Sequence, residues 1–185
     1  MADEAPNPEA SEPESRAPVE ADLVAICRRL NELGAKYLVC GGFAIIHAGY
    51  LRFTGNIDLL IDASLKNEAK VYAAMEILPD KAVRALKPGE VSDYTVVRVG
   101  DEVTVDLMAS ASGIGLDEAE PHIVRRDVQG VSIPFASPLL LWRMKCHTHR
   151  EKDRGDLFFL RQLLESQGTT PRSEMRYFAG ISFNV

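Results

Sequence analysis

Apolar residues early in the chain recur first with the spacing of a helix and then as a continuous run. Five of them mark one helical face, at Leu23, Ile26, Cys27, Leu30 and Leu33. Gly34 follows them as a natural C-terminal stop. The run YLVC at 37–40 is apolar throughout, which is typical of a short buried strand. The pattern therefore predicts a helix followed by a strand.

Two glycines and a change in the spacing of apolar residues mark the next elements. Gly41 and Gly42 break the strand, and the segment FAIIHAG begins a helix. After a loop, NIDLLI at 56–61 predicts a second strand. An amphipathic helix is then predicted over 66–78, where Pro79 ends it.

A β-hairpin is predicted around Gly100-Asp101. This pair lies between YTVVRV and EVTVDLM, two alternating runs that are rich in β-branched residues. Side chains alternate between the two faces of a strand, so Asp106 shares one face with Thr104 and Met108.

The remainder of the chain is predicted to be largely helical. Residues 116–125 predict a short helix, and GVSIPF predicts a further strand. Ser137-Pro138 is a good helix start, because an N-cap serine precedes a proline at the first helical position. LLLWRMKC continues that helix, and HTHREKDRGDLFFLRQLLES is mainly a second one. The order of elements predicts an α+β fold with a mixed β-sheet flanked by helices, and with helices at its C-terminal end.

Composition divides the chain into one folded domain and two tails. The 185 residues suit one domain, and a hydrophobic content of 46% is enough for a proper core. Residues 1–19 are rich in Pro, Glu, Ala and Ser, which predicts a disordered acidic tail. The folded domain is expected over 20–167, and 168–185 form a C-terminal tail with no strong pattern.

Charge, cysteine usage and hydropathy exclude several classes of protein. A formal net charge of -6 argues against a general nucleic-acid binder, so any basic site is local. The three scattered cysteines favour reduced thiols over a disulfide framework or a zinc site. No stretch approaches the ~20 apolar residues of a membrane span. The N-terminus lacks the basic start and apolar core of a signal peptide. We therefore expect a cytoplasmic protein.

Oxygen-bearing side chains interrupt the predicted strands, and chemistry is expected where they meet. Asn56 and Asp58 lie two positions apart and point to the same face, and Asp106 interrupts a later strand. Taken alone, each acid suits an edge strand that reaches water. Together they form a donor set suited to Mg²⁺ with substrate phosphates. Gly41-Gly42 before a helix favours a phosphate, although a plain tight turn explains the same pair.

The segment GGFAIIHAGYLRFTGNIDLLID resembles the signature of the minimal nucleotidyltransferases of the polymerase-beta superfamily. In that signature Gly-Gly or Gly-Ser precedes a helix, and Arg-x-Thr-x-Asp-x-Asp leads into the next strand. VDLM is similar to the family's third-carboxylate strand, and LLWRMKCHTHREKDRGDLFFL resembles its C-terminal basic stretch. The most similar branch is that of the AbiEii-like and related uncharacterised bacterial nucleotidyltransferases. The likeness runs in order from about residue 22 to 166.

The resemblance implies roles for ten residues. Around two Mg²⁺ ions, the catalytic and metal-binding residues are expected to be Asn56, Asp58 and Asp106. The nucleotide-binding residues are expected to be Gly41, Gly42, Arg52, Thr54, Lys145, Arg150 and Lys152. For Arg52 and Thr54, phosphate contact and bracing of the acidic strand both stay open. For the three late basic residues the alternative is a solvated helix face, and Asp153 and Asp156 are expected to orient them or to cap a helix.

The resemblance also implies a function, with one departure from the family pattern. It implies an enzyme that moves an NMP group from an NTP to an acceptor hydroxyl on an RNA end, a protein or a small molecule. It further suggests the toxin of a toxin–antitoxin pair, with an antitoxin protein as partner. Asn56 stands where the family has its first Asp, which removes a negative charge from one metal site. The alternatives are an impaired module that binds a nucleotide or a partner, and a structural subunit whose acids are simply exposed.

Overall fold

A computed structural model describes residues 15–148 and 150–171. Its α-helices are Glu20–Glu32 (α1), Gly41–His47 (α2), Leu65–Met75 (α3), Glu90–Asp93 (α4), Leu116–Ala119 (α5), Pro138–Lys145 (α6) and Arg154–Ser166 (α7). Its strands are Tyr37–Cys40 (β1), Ile57–Ile61 (β2), Val97–Gly100 (β3), Thr104–Met108 (β4), Ser110–Ala111 (β5), Ile114–Gly115 (β6), Ile123–Val128 (β7) and Val131–Ala136 (β8). Short 3₁₀ turns lie at Ala82–Ala85, Glu120–His122 and Glu151–Asp153.

Six of the strands form one mixed sheet in the order β3-β4-β2-β1-β8-β7. The β2–β4 and β1–β8 pairs are parallel, and the other neighbours are antiparallel. Helix α1 packs on α3 and β8, α2 packs on β1, β2 and α6, and α6 packs on α7. The predicted α+β class, with a mixed sheet flanked by helices and with helices at the C-terminal end, is confirmed.

The core forms where the central strands meet the apolar faces of the helices. All four residues of β1 are buried, and Leu23, Ile26 and Leu30 of α1 are at most 1% exposed. Burying one such side chain stabilises the fold by about 1.5–3 kcal/mol relative to leaving it in water. Gly34, two residues past the end of α1, takes a positive φ of 61°, so the predicted stop is confirmed. Ser137 caps α6 by accepting a hydrogen bond from the Leu140 amide, as predicted.

The hairpin between β7 and β8 corrects one sequence prediction. Helix α5 and the 3₁₀ turn after it end by residue 122, so the helix predicted over 116–125 is wrong at its end. Residues 123–128 pair instead with β8 through a two-residue turn at Gln129 and Gly130, whose φ values of 51° and 78° are both positive. Such a turn matches the twist of a hairpin. Strand β7 lies at the sheet edge, and its central residues are polar and exposed. The alternation of apolar residues that predicts a strand is therefore missing from it.

The β3–β4 hairpin has a longer turn than Gly100-Asp101 alone predicts. Gly100 pairs with Thr104, so three residues form the loop. Asp101 is buried there, and its carboxylate accepts hydrogen bonds from the backbone amides of Asp80, Ala82 and Glu102. This anchoring sets the strand register, which places Arg98 opposite Asp106.

The predicted tails lie largely outside the described residues. Residues 1–14 and 172–185 are not described, and the tail boundaries at 19 and 168 stay predictions. Within the described part, the Ser15 hydroxyl donates to the Asp101 carbonyl at 2.6 Å. Arg16 pairs with Asp22 and Glu102. None of the helices described is both long enough and apolar enough to cross a membrane.

Candidate functional site

The turn from β1 into α2 lies against the acidic strand. Helix α2 begins at Gly41 itself, two residues before the predicted start, and Gly41 has a φ of 59°. A Cβ atom at Gly41 would lie 1.9 Å from the Asp58 Oδ2 atom, and one at Gly42 would lie 2.1 Å from the Thr54 Oγ1 atom. Both glycines therefore allow Asp58 and Thr54 to approach the backbone closely.

Two carboxylates meet on the same face of the sheet. Asp58 on β2 and Asp106 on β4 are register partners on neighbouring parallel strands, which lie ~4.8 Å apart in sheets. Burial raises the pKa of Asp58, and the negative charge of Asp106 raises it further. The pair is therefore a place where a cation is favourable.

The amide of Asn56 bridges these two carboxylates. Its Nδ2 atom donates hydrogen bonds to Asp58 Oδ1 at 2.9 Å and to Asp106 Oδ2 at 2.8 Å. The three residues that the sequence singles out are thus brought together. In this arrangement the amide nitrogen, and not the amide oxygen, faces the two acids, so Asn56 here compensates their charge in part.

Arg98 is a member of the cluster that sequence reasoning missed. Its Nε and Nη2 atoms donate to Asp106 Oδ1 and Oδ2, both at 2.8 Å, in a bidentate pair. The Arg98 side chain is 67% exposed, whereas Asp106 is buried. The signal that finds Arg98 is the register of the β3–β4 hairpin, which depends on the true length of its loop.

A second charged cluster fixes the C-terminal helices. The buried Lys145 Nζ donates to Asp153 Oδ1 at 2.6 Å and lies 3.0 Å from Asp156 Oδ2. Arg150 Nε lies 2.9 Å from Asp153 Oδ2. Burial by itself would raise the pKa of Asp153, but the hydrogen bonds from Lys145 and Thr148, with others, lower it to about 2. This geometry agrees with the predicted orienting role of these acids. The positive charge of Lys145 is compensated by the two carboxylates within the protein.

Arg52 and Thr54 make internal contacts. Arg52 Nη2 donates to Asp156 Oδ2 at 3.1 Å, and Arg52 Nε lies 2.9 Å from Asp156 Oδ1 in an ion pair whose angle is not that of a hydrogen bond. The Thr54 hydroxyl donates to the Asn56 carbonyl at 3.1 Å. Of the two roles that the sequence left open, these contacts favour bracing: Thr54 holds the acidic strand, and Arg52 joins its loop to α7.

One cavity of about 790 Å³ connects all these features, a volume within the range of small-molecule sites. All ten residues that the sequence implicates line it: Gly41, Gly42, Arg52, Thr54, Asn56, Asp58, Asp106, Lys145, Arg150 and Lys152. Arg98 and Phe53 line it too, and Phe53 is 76% exposed. Lys152 is exposed and forms no ion pair with any residue that the structure describes, so its charge is available to a ligand.

The donor set of this cavity fits one divalent cation. Among the described residues no three His, Cys, Asp or Glu side chains cluster as metal ligands. Asp58 and Asp106 lie together as register partners, whereas Asp153, which also lines the cavity, is paired with Lys145 and Arg150. Mg²⁺ is commonly held by one or two carboxylates together with substrate phosphates. The Asn56 amide offers an oxygen only after a half-turn, which breaks both of the hydrogen bonds that its Nδ2 atom donates.

Comparisons with known proteins find distant structural likeness. No family model matches the chain, and no curated protein matches it. The lincomycin-bound crystal structure of the lincosamide antibiotic adenylyltransferase LnuA is similar over 80% of this chain and 99% of its own, with 15% identity and a TM-score of 0.47. An antigenic nucleotidyltransferase-like protein from Paracoccidioides brasiliensis is similar over 78% of this chain and 75% of its own, with 17% identity and a TM-score of 0.48. Likeness at this level assigns no function to the chain.

Proposed function

We propose that this chain is a nucleotidyltransferase that binds an NTP in the cavity and moves its NMP group to an acceptor hydroxyl. The observation that carries the proposal is the register pairing of Asp58 with Asp106 beside the Gly41-Gly42 turn, inside a single cavity. The motif order in the sequence, which resembles minimal nucleotidyltransferases, supports the same function.

The charges of the cavity wall suit a triphosphate. Arg150 and Lys152 supply positive charge near the C-terminal helices, and they line the same cavity as the acidic pair of Asp58 and Asp106. Lys145 is buried between Asp153 and Asp156, so it acts by holding the segment that carries Arg150. In the proposed complex the β- and γ-phosphates lie toward the basic residues, and the α-phosphate lies toward the acids. Positioning of this kind and electrostatic stabilisation are the main sources of catalysis in phosphoryl transfer.

Mg²⁺ is the cation proposed for the acidic pair. Asp58 and Asp106 would hold it, and when bound it would offset the charge that develops on the phosphate oxygens. Gly41 keeps Asp58 close to the start of α2, because any larger residue there would collide with the Asp58 carboxylate. Thr54 holds the backbone at Asn56, directly before the strand that presents Asp58.

A second candidate function is nucleotide binding without transfer. The observation that favours it is the Asn56 amide, which donates to both acids in the position where the resembling family has its first Asp. The chain then offers two negative ligands where the family pattern has three. One cation is supported by that set, whereas a second cation has weaker support.

Incubation of the pure protein with α-labelled NTPs, Mg²⁺ and pools of RNA, protein or small-molecule acceptors separates these functions. Transfer of label to one acceptor, lost in Asp106→Asn, supports the enzyme. Binding of NTP with no transfer to any pool supports the second candidate. The proposed toxin role is tested by growth on induction of the gene with and without its neighbouring gene, since a toxin arrests growth only without its antitoxin.

A further inference from the structure

Arg98 holds the carboxylate that the proposed metal ion needs. Its guanidinium donates to both oxygens of Asp106 at 2.8 Å, and the Asn56 amide donates to one of them as well. Two donors are thus directed at Asp106 Oδ2, which leaves less of this carboxylate free to bind a cation. A divalent cation that binds Asp106 therefore competes with Arg98.

Arg98 can leave Asp106 without disturbing the core. It lies on the edge strand β3, its side chain is 67% exposed, and it lines the same cavity as Arg150 and Lys152. A long exposed side chain that pairs with a buried acid can rotate into the cavity while its backbone stays in the sheet. Once it is released from Asp106, its planar fork suits a phosphate.

We propose that Arg98 is a phosphate-binding residue that pairs with Asp106 until the nucleotide and its cation arrive. The cation takes over the Asp106 carboxylate, and the guanidinium turns to the phosphates of the same ligand. This inference rests on the proposed function for the identity of the ligand, and it adds Arg98 to the residues that bind it. Arg98 therefore opposes the binding of Mg²⁺ alone and favours the binding of a polyphosphate with Mg²⁺.

The first test is a calorimetric titration of Mg²⁺ alone into the full chain, as parent and as Arg98→Gln. Ion pairs with an exposed partner contribute about 0.2–1 kcal/mol, so removal of the competing guanidinium is expected to tighten Mg²⁺ binding about 1.4- to fivefold. Arg84→Gln is the matched control, because Arg84 forms a similar two-point pair with Glu76, is 58% exposed and lies outside the cavity. It is expected to leave Mg²⁺ affinity unchanged.

The second test uses inorganic tripolyphosphate with Mg²⁺, which carries the phosphates without a base. Arg98→Gln is expected to weaken its binding at least about fivefold, because a charge-assisted bidentate contact is lost. Arg98→Lys keeps the charge without the fork and is expected to recover part of the affinity. Melting temperatures of both variants show that they are folded.

Opposite shifts of the two affinities support the inference. An Mg²⁺ affinity that is unchanged or weaker in Arg98→Gln overturns it, and so does an unchanged tripolyphosphate affinity. Absence of Mg²⁺ binding by the parent and by Arg98→Gln overturns it as well. Failure of NMP transfer while both shifts are present counts against the enzyme and leaves the role of Arg98 standing.

Discussion

Asp58 and Asp106 are register partners on neighbouring parallel strands, and they share the hydrogen-bond donors of one amide, that of Asn56. Each of the two strands therefore tolerates an acid, because N–H donors compensate part of the negative charge, among them the guanidinium of Arg98 at Asp106. This compensation is weaker than that of a divalent cation. The polar residues in an otherwise apolar strand are explained by a site that accepts positive charge.

Asn56→Asp is expected to change stability in opposite directions with and without Mg²⁺. The change replaces two donated hydrogen bonds with a third negative charge beside acids that already repel, so the melting temperature without metal falls. A loss of 1–3 kcal/mol corresponds to about 2–12 °C for a domain of this size. On addition of Mg²⁺ the variant is expected to show the larger upward shift in thermal unfolding.

Asn31→Asp is the control for that change, because it adds a charge at an exposed asparagine outside the cavity. Its Mg²⁺ response is expected to equal that of the parent. An equal Mg²⁺ response in Asn56→Asp and the parent would show that residue 56 does not contribute to cation binding.

Gly41→Ala is expected to destabilise the fold more than Gly130→Ala. Both glycines have a positive φ, so both substitutions carry the strain of about 1–2 kcal/mol that a left-handed residue costs. Only at Gly41 would the new Cβ also collide with Asp58, since nothing lies within 4 Å at Gly130. Urea unfolding measures the difference, and equal losses in the two variants would contradict the close approach of Asp58.

Lys145 and Lys152 are expected to have different roles, since Lys145 stabilises the fold and Lys152 binds the ligand. Lys145→Met leaves Asp153 and Asp156 buried without their shared cation, which costs about 3–5 kcal/mol of unfolding free energy. Lys152→Ala removes an exposed charge and is expected to change stability by no more than about 0.5 kcal/mol while weakening NTP binding. Denaturant unfolding together with calorimetry gives both values. A stable Lys145→Met variant that had lost only NTP affinity would make Lys145 a ligand-binding residue instead.

Much of this arrangement is predictable from the sequence, because the spacing of apolar residues and the order of the motifs indicate it. The spacing of apolar residues identifies α1 and β1, and strand alternation places Asn56 and Asp58 on one face. The meeting of Asp58 with Asp106 is anticipated from the order of motifs, although no local pattern determines which strands become neighbours.

The parts that sequence reasoning missed depend on contacts between distant segments. The partner of Arg98 is set by a loop that Asp101 anchors through the amides of residues 80 and 82, which no local pattern reveals. The internal pairing of Lys145 likewise depends on the packing of α6 against α7. The exposed polar residues in the middle of β7 interrupt any apolar alternation along that strand.

Acid pH is expected to remove the stabilisation that the Asp153 cluster provides. The folded-state pKa of Asp153 is about 2, below the ordinary value of 3.8. The cluster therefore stabilises the protein fully above pH 3.8 and loses that effect as the pH falls toward 2. The lost free energy is about 1–2 kcal/mol. The unfolding free energy is expected to change less with pH across this window in Asp153→Asn than in the parent. Identical pH dependences would contradict the pairing of Asp153.

Calorimetric titration of NTP with Mg²⁺ into the parent, Asp58→Asn and Asp62→Asn tests most directly whether Asp58 holds the cation of a bound nucleotide. Asp62 follows the same strand but lies outside the cavity, so it controls for the loss of a nearby charge. NTP binding is expected to require Mg²⁺, to be lost in Asp58→Asn and to be retained in Asp62→Asn. Binding that is as tight in Asp58→Asn as in the parent, with Mg²⁺ present, would contradict this role of Asp58.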